Sequence, residues 1–283
     1  MTPQVALAEI KWLLTEQLEA TPENLKKIDD AIGRHSRQIR DVFFRALIRS
    51  EKDRRTPSAS NLGKCTRQLA YKYHGIQGER IDYKSRLTFC YGDIVEVLLY
   101  ILFDVVGAPV DNKQVSINED GITGSPDGSL EDWAVDIKSM SAYAFKLAQE
   151  KGVDNAFGYE TQLSIYTKAL GKTLLGWFGI CKDKGDIDFF PGLFKPSLVE
   201  IAKRKKEIVE QSTLDNLPAR DYQLEADAPR GKASGKLKLA MQCKFCPNRF
   251  QCWNITEVAV GFNNSEVYYA TGPNNNPVMP KPI

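Results

Sequence analysis

The sequence predicts an α/β fold in which N-terminal helices precede a series of short strands and further helices. Apolar residues recur at helical spacing over residues 3–52, and the apolar segment 84–106 is too long for a strand. From residue 113 onward, β-like segments alternate with turn sequences and helical patterns. Such alternation is typical of folds in which helices cover a sheet.

Length and composition limit the possibilities further. The chain has 283 residues, of which 42% are hydrophobic, so we expect one large domain, or one domain with a helical appendage. No apolar run of about 18 residues and no secretory signal is visible, so we expect an intracellular, cytoplasmic protein that is not in a membrane. Thiols stay reduced in that compartment, so the six cysteines are expected to be metal ligands, reactive groups or buried residues rather than disulfides.

The N-terminal half should be helical. Two helices are expected before residue 52, separated at residues 21–23, where Thr21 can cap a helix and Pro22 suits its first turn. A third helix is expected after Ser58 or Ser60. The segment 84–106 is predicted to be a largely buried helix with one polar stripe, formed by Asp93, Glu96, Tyr100 and Asp104.

The second half should alternate between strands and helices before a basic, loop-rich C-terminal part. We expect strands at 113–118, 122–130, 133–139, 173–182 and 186–191, and helices at 141–151, 159–171 and 197–211. The Pro- and Asn-rich sequence from residue 272 onward is expected to be a disordered tail.

Local charge indicates a polyanionic partner more than the net charge of +2 does. Residues 34–55 carry eight basic side chains against three acidic ones, and residues 228–256 carry six basic side chains and no acidic one. Excesses of this kind suit contact with the phosphates of DNA, because neutralising phosphates releases counterions. Ordinary solvated surface is the alternative explanation.

Asp127, Asp136 and Lys138 form the first candidate site. In a strand over 133–139, alternate side chains share a face, so Asp136 and Lys138 lie side by side while Val135 and Ile137 point into the core. Asp127, near the end of the neighbouring strand, can reach the same place. Two carboxylates suit Mg²⁺ or Mn²⁺, and such an ion stabilises charge on a phosphate. A surface ion pair is the alternative, since Asp-x-Lys is a common tripeptide.

Three further residues strengthen this candidate site. Glu96 lies on the polar stripe of an apolar helix, where an inward-facing carboxylate needs a partner or a metal; an exposed face is the alternative. Gln162 and Tyr166 share one face of a later helix, for which a stripe at the edge of the core is the alternative.

The sequences GSPD at 124–127, VDIK at 135–138 and QLSIY at 162–166 resemble the PD-(D/E)XK nuclease superfamily, in its RecB-like branch. This resemblance implies a restriction-endonuclease-like core, with a mixed central β-sheet flanked by helices, N-terminal helices before it and a cysteine-rich segment after it. It also implies a deoxyribonuclease that uses Mg²⁺ or Mn²⁺.

The resemblance assigns roles residue by residue. Asp127 and Asp136 would be metal ligands, Lys138 the catalytic lysine, and Gln162 and Tyr166 a supporting motif near the DNA. The family usually has a histidine ligand where this chain has Glu96. We read this as a change of metal ligand that leaves the metal preference and the rate open.

Cysteines form a second candidate site. Cys243, Cys246 and Cys252 follow the pattern C-x2-C-x5-C, and thiolates at this spacing can converge on one metal centre. Cys65 resembles the distant first cysteine of RecB-like nucleases with iron–sulfur clusters, which include AddB-type subunits and the Cas-four family. The resemblance, over about residues 58–253, implies a 4Fe-4S cluster, and zinc is the alternative because spacing does not decide the metal.

The sequence therefore predicts a nuclease domain at 56–255, closed by the four cysteines, with a helical segment at 1–55 and a tail at 256–283. The resemblance implies hydrolysis of phosphodiester bonds in single-stranded DNA or at DNA ends, more as an exonuclease than an endonuclease. Arg67 and Lys182 are candidate DNA contacts.

The pathway stays open among replication, recombination, repair and viral genome processing, and protein partners would follow from the pathway. A catalytically weak or inactive DNA-binding protein with a structural metal site is one alternative, and a CRISPR adaptation nuclease is another. The oligomeric state is not predicted.

Overall fold

The computed structural model describes residues 1–48, 55–153, 157–261 and 265–274. The chain divides into two compact units, each discontinuous in sequence. Unit 1 contains the described parts of Met1–Asp53, Ser58–Ser60 and Ile81–Ile201. Unit 2 contains the described parts of Arg54–Pro57, Asn61–Arg80 and Ala202–Ile283. The predicted α/β class is confirmed, since both units combine helices with strands.

Helices account for most of the first half of the chain. The helices are α1 (Pro3–Glu16), α2 (Pro22–Leu47), α3 (Ala59–Leu62), α4 (Thr66–Tyr73), α5 (Tyr83–Val105), α6 (Ala142–Lys151), α7 (Tyr159–Ala169), α8 (Pro196–Gln211), α9 (Met241–Lys244) and α10 (Arg249–Cys252). The predicted start of α2 is confirmed, because the Thr21 hydroxyl accepts a hydrogen bond from the Asn24 amide at 3.2 Å and Pro22 is in the first turn.

In the part of the chain that the structure describes, ten strands form three sheets. The strands are β1 (Ile117–Glu119), β2 (Ile122–Gly124), β3 (Gly128–Leu130), β4 (Trp133–Met140), β5 (Leu174–Cys181), β6 (Ile187–Gly192), β7 (Glu225–Ala226), β8 (Leu237–Lys238), β9 (Trp253–Val260) and β10 (Glu266–Pro273). The sheets contain β1 and β2; β3, β4, β5 and β6; and β7, β8, β10 and β9, in the order given.

The four-stranded sheet of unit 1 is mixed. β4 pairs antiparallel with β3 and parallel with β5, and β5 pairs antiparallel with β6. A parallel pair needs a crossover connection, which α6 and α7 provide between β4 and β5. This topology places α7 against β4 and β5.

The core of unit 1 joins the N-terminal helices to the sheet. Ala6 and Ile10 of α1 share one buried cluster with Leu99 and Phe103 of α5 and with Phe178 of β5. Helix α1, predicted as part of a separate segment at 1–55, therefore packs into the same core as the sheet, because its apolar face must be covered.

The predicted strands at 113–118 and 122–130 are shorter than expected. Asn112 and Gln114 have φ angles of 55° and 54°, so β1 begins only at Ile117. Pro126 interrupts the second segment between β2 and β3, since proline cannot donate a ladder hydrogen bond. The sequence located these strands correctly and overestimated their lengths.

Unit 2 has an antiparallel sheet that the sequence did not predict. Residues 256–260 and 266–273, expected to belong to a tail, instead lie in β9 and β10, which pair along most of their length. Tyr71, Leu239, Trp253 and Tyr268 are buried together against this sheet. The β-branched and aromatic residues of both strands favour this structure. Residues 275–283 of the predicted tail lie outside the described residues.

Within the described ranges, no helix has both the length and the apolar character needed to cross a membrane.

Gly124 of β2 leaves space that a buried tyrosine uses. A Cβ atom at this position would lie 2.7 Å from Cε1 of Tyr166 and 3.2 Å from Cβ of Ala59. We expect Gly124→Ala to lower the free energy of unfolding by about 1–3 kcal/mol, because the ring must move within a packed core. Urea unfolding followed by circular dichroism measures the effect.

Gly33→Ala is the matched control. Gly33 is in the exposed face of α2, with nothing within 4 Å of its added Cβ. This change should raise the free energy of unfolding by about 0.5–1 kcal/mol, since alanine favours a helix. Equal urea midpoints for Gly124→Ala and the unmodified protein would show that the Tyr166 ring does not need the space left by the missing Cβ at position 124.

Candidate functional site

Strand β4 brings Asp136 and Lys138 together on one face. The Lys138 ammonium nitrogen lies 2.7 Å from Oδ2 of Asp136, whose side chain is only 2% exposed. Val135 and Ile137, the alternate residues, lie in the hydrophobic core of unit 1. Oδ1 of Asp136 is buried and has no hydrogen-bond partner among the described residues. A buried carboxylate oxygen without a donor is costly, and an additional cation or an ordered water molecule beside it would lower that cost.

Asp127 reaches the same face from the loop before β3. Its Oδ2 accepts a hydrogen bond of 2.8 Å from the Ile137 amide. Gly128 follows with a φ of 148°, and a Cβ there would lie 2.3 Å from Cγ1 of Val110, so the backbone needs glycine to turn here. The turn and the hydrogen bond together fix the Asp127 carboxylate against β4.

Glu96 of α5 is held by two polar side chains. Its Oε1 lies 2.9 Å from the Tyr100 hydroxyl and 3.0 Å from Nε2 of Gln114. The same Tyr100 hydroxyl lies 2.7 Å from the backbone oxygen of Asp127 and shares its hydrogen between the two acceptors. Tyr100 thus connects the helix that carries Glu96 with the loop that carries Asp127.

The three carboxylates are close enough to affect one another's charge. Burial raises the pKa of Asp127 well above its usual range, and the charges of Asp136 and Glu96 raise it further. Burial also raises the pKa of Glu96, against the hydrogen bonds from Tyr100 and Gln114, and the charges of Asp93 and Asp136 add to the increase. Each carboxylate therefore lies within the range at which a neighbouring charge shifts its pKa.

Lys138 supplies positive charge to this neighbourhood. Burial alone would lower the pKa of Lys138, but the Asp136 and Asp127 carboxylates outweigh burial and raise it. Its ammonium also lies 4.9 Å from the centre of the Tyr159 ring of α7, a cation–π contact. Lys138 is therefore protonated at neutral pH.

Helix α7 completes the site with Gln162 and Tyr166. Burial raises the pKa of Tyr166, hydrogen bonds to its phenol oxygen from the Gln162 side chain and the Ser125 backbone oppose this, and the charges of Asp127 and Asp136 add to it. The predicted residues Asp127, Asp136, Lys138, Gln162 and Tyr166 are therefore gathered in unit 1. Sequence reasoning missed Gln114, which has no local motif to identify it.

The other face of Glu96 borders a cavity between α2 and α5. The cavity has a volume of about 430 Å³ and is lined by Arg37, Gln38, Asp41, Arg45, Glu96, Val97 and Gln114. Basic residues of α2, predicted as a phosphate contact, thus lie beside a residue of the carboxylate site.

Unit 2 gathers the four cysteines of the second candidate site. Burial raises the pKa of Cys246 to about 12, against a hydrogen bond from the Asn248 backbone, and the charges of Cys65, Cys243 and Cys252 add to the increase. All six cysteines of the chain are free thiols. The other three cysteines each affect the pKa of Cys246, so the four thiols lie near one another although Cys65 is distant in sequence.

Nitrogen donors surround these thiols. Burial raises the pKa of Cys243 to about 11, and the nearby Trp253 side chain opposes this. Burial likewise raises the pKa of Cys252, and the Arg220 and Arg67 guanidinium groups oppose the increase. These groups therefore offset part of the cost of burying a thiolate, which is the form of cysteine that binds metals.

The two candidate DNA contacts have different surroundings. Arg67 lies in unit 2, where its Nη1 donates to the Pro218 carbonyl at 2.9 Å and its guanidinium lies 5.8 Å from the centre of the Tyr71 ring. Arg67 therefore has a structural role within unit 2. Lys182 follows β5 and its side chain is exposed.

Neither candidate site has the geometry of a formed metal centre. Across 1–48, 55–153, 157–261 and 265–274, no group of three or more His, Cys, Asp or Glu side chains is arranged to hold a metal ion. The donor sets nevertheless fit the expected groups, since three carboxylates suit Mg²⁺ or Mn²⁺ and four thiolates suit iron–sulfur or zinc. The uncompensated Oδ1 of Asp136 supports the fit at the carboxylates.

Comparisons with known proteins identify no family. No protein-family model matches the chain, and no curated protein matches it. A solved structure, the crystal structure of SSO0001, superposes with a TM-score of 0.45 at 16% identity, covering 77% of this chain and 95% of that chain. A similarity this low assigns neither a fold family nor a function.

The raised pKa of Asp127 predicts how stability depends on pH without metal. The folded state holds the Asp127 proton to higher pH than the unfolded chain does, so stability falls as pH rises from the unfolded pKa through the folded one. Asp127→Asn removes this loss and keeps an oxygen for the Ile137 amide. We expect the variant to unfold at higher urea than the unmodified protein at neutral pH, with EDTA present.

The gain of Asp127→Asn should disappear below the unfolded pKa, near pH 4. Asp29→Asn, on the exposed face of α2, is the control. Its urea midpoint should equal that of the unmodified protein both at neutral pH and near pH 4. A gain that is the same at every pH would mean that Asp127 is not held in a raised-pKa environment.

Proposed function

We propose that this chain is a metal-dependent deoxyribonuclease with a PD-(D/E)XK site of the RecB-like type. The observation that supports this most directly is the buried Asp136 carboxylate, which lies beside Asp127, Glu96 and the protonated Lys138 and has one oxygen without a donor. A structural core rarely keeps three carboxylates together without a cation, so a function that uses one is the simplest explanation.

Glu96, Asp127 and Asp136 would hold Mg²⁺ or Mn²⁺. Such an ion, when bound, would neutralise charge on the phosphate oxygens. The hydrogen bonds to Glu96 and Asp127 orient both carboxylates before any ion arrives. Glutamate at position 96 keeps an oxygen ligand where the family usually has histidine, which favours hard ions over zinc.

Lys138 acts as a cation rather than as a base. Its raised pKa keeps the ammonium protonated, so it can donate to the attacking water or to a non-bridging phosphate oxygen. Hydrolysis forms a bond between the water oxygen and phosphorus and breaks one ester bond, and the proton from water ends on the departing oxygen. The Tyr159 ring limits the positions of the Lys138 side chain.

The substrate class follows from the resemblance: DNA with a single-stranded region or an end, in replication, recombination, repair or viral genome processing. The surface charge of α2 suits this substrate, since its arginines border the cavity beside Glu96. The alternative, an inactive DNA-binding protein, is favoured by the ion pair that engages Asp136 with Lys138.

Cys65, Cys243, Cys246 and Cys252 would hold a 4Fe-4S cluster in unit 2. The thiols share one neighbourhood, and the side chains of Trp253, Arg220 and Arg67 supply positive or donor groups around them. Such surroundings offset the negative charge of four thiolates. Zinc has the same ligand set, and measurement of the metal separates the two.

Lys138→Ala and Asp136→Asn test the nuclease proposal. Each should lower the rate of cleavage of end-labelled DNA with Mn²⁺ by about 100-fold or more, because each removes a charge that acts in the transition state. Lys146→Ala, which removes an exposed lysine of α6, is the control and should keep the full rate. Circular dichroism confirms that each variant is folded.

If unmodified protein does not cleave labelled DNA with either ion, the nuclease proposal is wrong. If both variants cleave at the unmodified rate, the assigned site is wrong.

Anaerobic purification tests the cysteine proposal. We expect a brown protein with about four iron atoms per chain, and Cys246→Ser should lose the colour and most of the iron. Cys90→Ser, at a half-buried thiol of α5, should keep both. A colourless protein with bound zinc would reject the iron–sulfur cluster, and retention of all iron in Cys246→Ser would reject the ligand set.

A further inference from the structure

Helix α2 places arginines in the wall of a cavity that borders one residue of the carboxylate site. Arg37 and Arg45 line the cavity of about 430 Å³ that Glu96 also lines. A residue of the candidate site thus forms part of the cavity wall. The cavity lies within unit 1 and is bordered by a helix outside the stretch that carries the nuclease resemblance.

The ion pairs of these two arginines are weak. The Arg37 side chain is 84% exposed, with its Nε 4.0 Å from Asp41, and the Arg45 side chain is 61% exposed, with its Nε 3.1 Å from Asp93. Exposed pairs of this kind contribute about 0–1 kcal/mol. Both guanidinium groups can therefore exchange a carboxylate for a phosphate at little cost.

Arg34 of the same helix differs from them. Its Nε lies 2.8 Å from the buried Asp104, which also lies 3.1 Å from Nε2 of the buried His35. This contact fixes α2 against α5 and leaves Arg34 engaged. Arg34 thus holds the helix in place, whereas Arg37 and Arg45 have only weak ion pairs. A binding helix needs both kinds of residue, because a fixed scaffold must present donors that a ligand can engage.

Exposed aromatic rings continue this surface. Phe89 is 59% exposed, and it shares a face of α5 with Asp93 and Glu96 by the i, i+4, i+7 spacing. Phe44 is 51% exposed, and the Arg40 guanidinium lies 5.7 Å from its ring centre. Arginines interleaved with exposed rings suit a single nucleic acid strand, whose phosphates pair with cations and whose bases stack on rings.

We propose that the surface formed by Arg37, Phe44 and Arg45 of α2 and Phe89 of α5, the α2–α5 surface, binds a single DNA strand beside the carboxylate site. Arg37 and Arg45 contact consecutive phosphates, and Phe44 and Phe89 stack against unpaired bases. This inference rests on the proposed function, because it identifies where the substrate of that site is held before cleavage.

Binding is measured without cleavage, so the inference is tested apart from the chemistry. A fluorescently labelled single strand of mixed sequence is titrated with the full chain in EDTA, and anisotropy gives Kd at several salt concentrations. The double variant Arg37→Ala, Arg45→Ala should weaken binding at least about 10-fold and flatten the salt dependence by about 0.7 for each lost phosphate contact.

The double variant Phe44→Ala, Phe89→Ala should weaken binding by about fivefold or more and leave the salt dependence unchanged, since stacking releases no counterions. The matched control, Lys26→Ala with Lys27→Ala, removes the same charge from the same helix, roughly 15 Å or more away along its axis. Its Kd and salt dependence should equal those of the unmodified protein. Circular dichroism confirms folding of each variant.

Unmodified binding by the arginine variant would overturn the inference, as would an equal loss in the lysine control. Tighter binding of duplex than of the single strand would overturn the stacking by Phe44 and Phe89. Self-association that is lost in the phenylalanine variant while DNA binding is kept would also overturn it, because a second copy would then cover the rings. Normal strand binding without cleavage in Mn²⁺ would instead reject the proposed nuclease and leave this surface in place.

Discussion

Three acidic side chains held together in a mostly buried place are the constraint on which the site of unit 1 depends. Like charges repel and burial penalises each of them, so the backbone must hold them against both effects. β4 fixes Asp136 by strand geometry, and the Ile137 amide fixes Asp127 through a hydrogen bond. Burial of the aliphatic and aromatic residues around Ile137 offsets the free-energy cost of holding these carboxylates together.

A second network connects the N-terminal helices to the same place. Asp104 of α5 pairs with Arg34 and His35 of α2, and the His35 ring stacks at 5.7 Å on the Tyr100 ring, whose hydroxyl contacts Glu96. These contacts form a continuous chain from the surface of α2 to the Glu96 carboxylate. α2 is therefore part of the structure that positions the site, although it lies outside the region of resemblance.

Much of unit 1 could be predicted because its signals are local. The alternation in β4 predicted that Asp136 and Lys138 share a face, and the apolar spacing of α5 predicted that Glu96 lies outside its apolar face. Gln114 could not be found, because its contact with Glu96 depends on a backbone turn with positive φ. The hairpin of β9 and β10 was missed for a related reason: its partners, such as Tyr71, are distant in sequence.

The discontinuity of unit 2 has a consequence for how the chain is made. Ribosomes produce the N-terminus first, and domains fold as their residues emerge. Unit 1 has all its residues by Ile201, whereas the segment Asn61–Arg80 must wait for residues 202–283. During that interval Tyr71 has no partners from Trp253 or Tyr268, so apolar surface and the Cys65 thiol stay open to chaperones and oxidants until those residues have emerged.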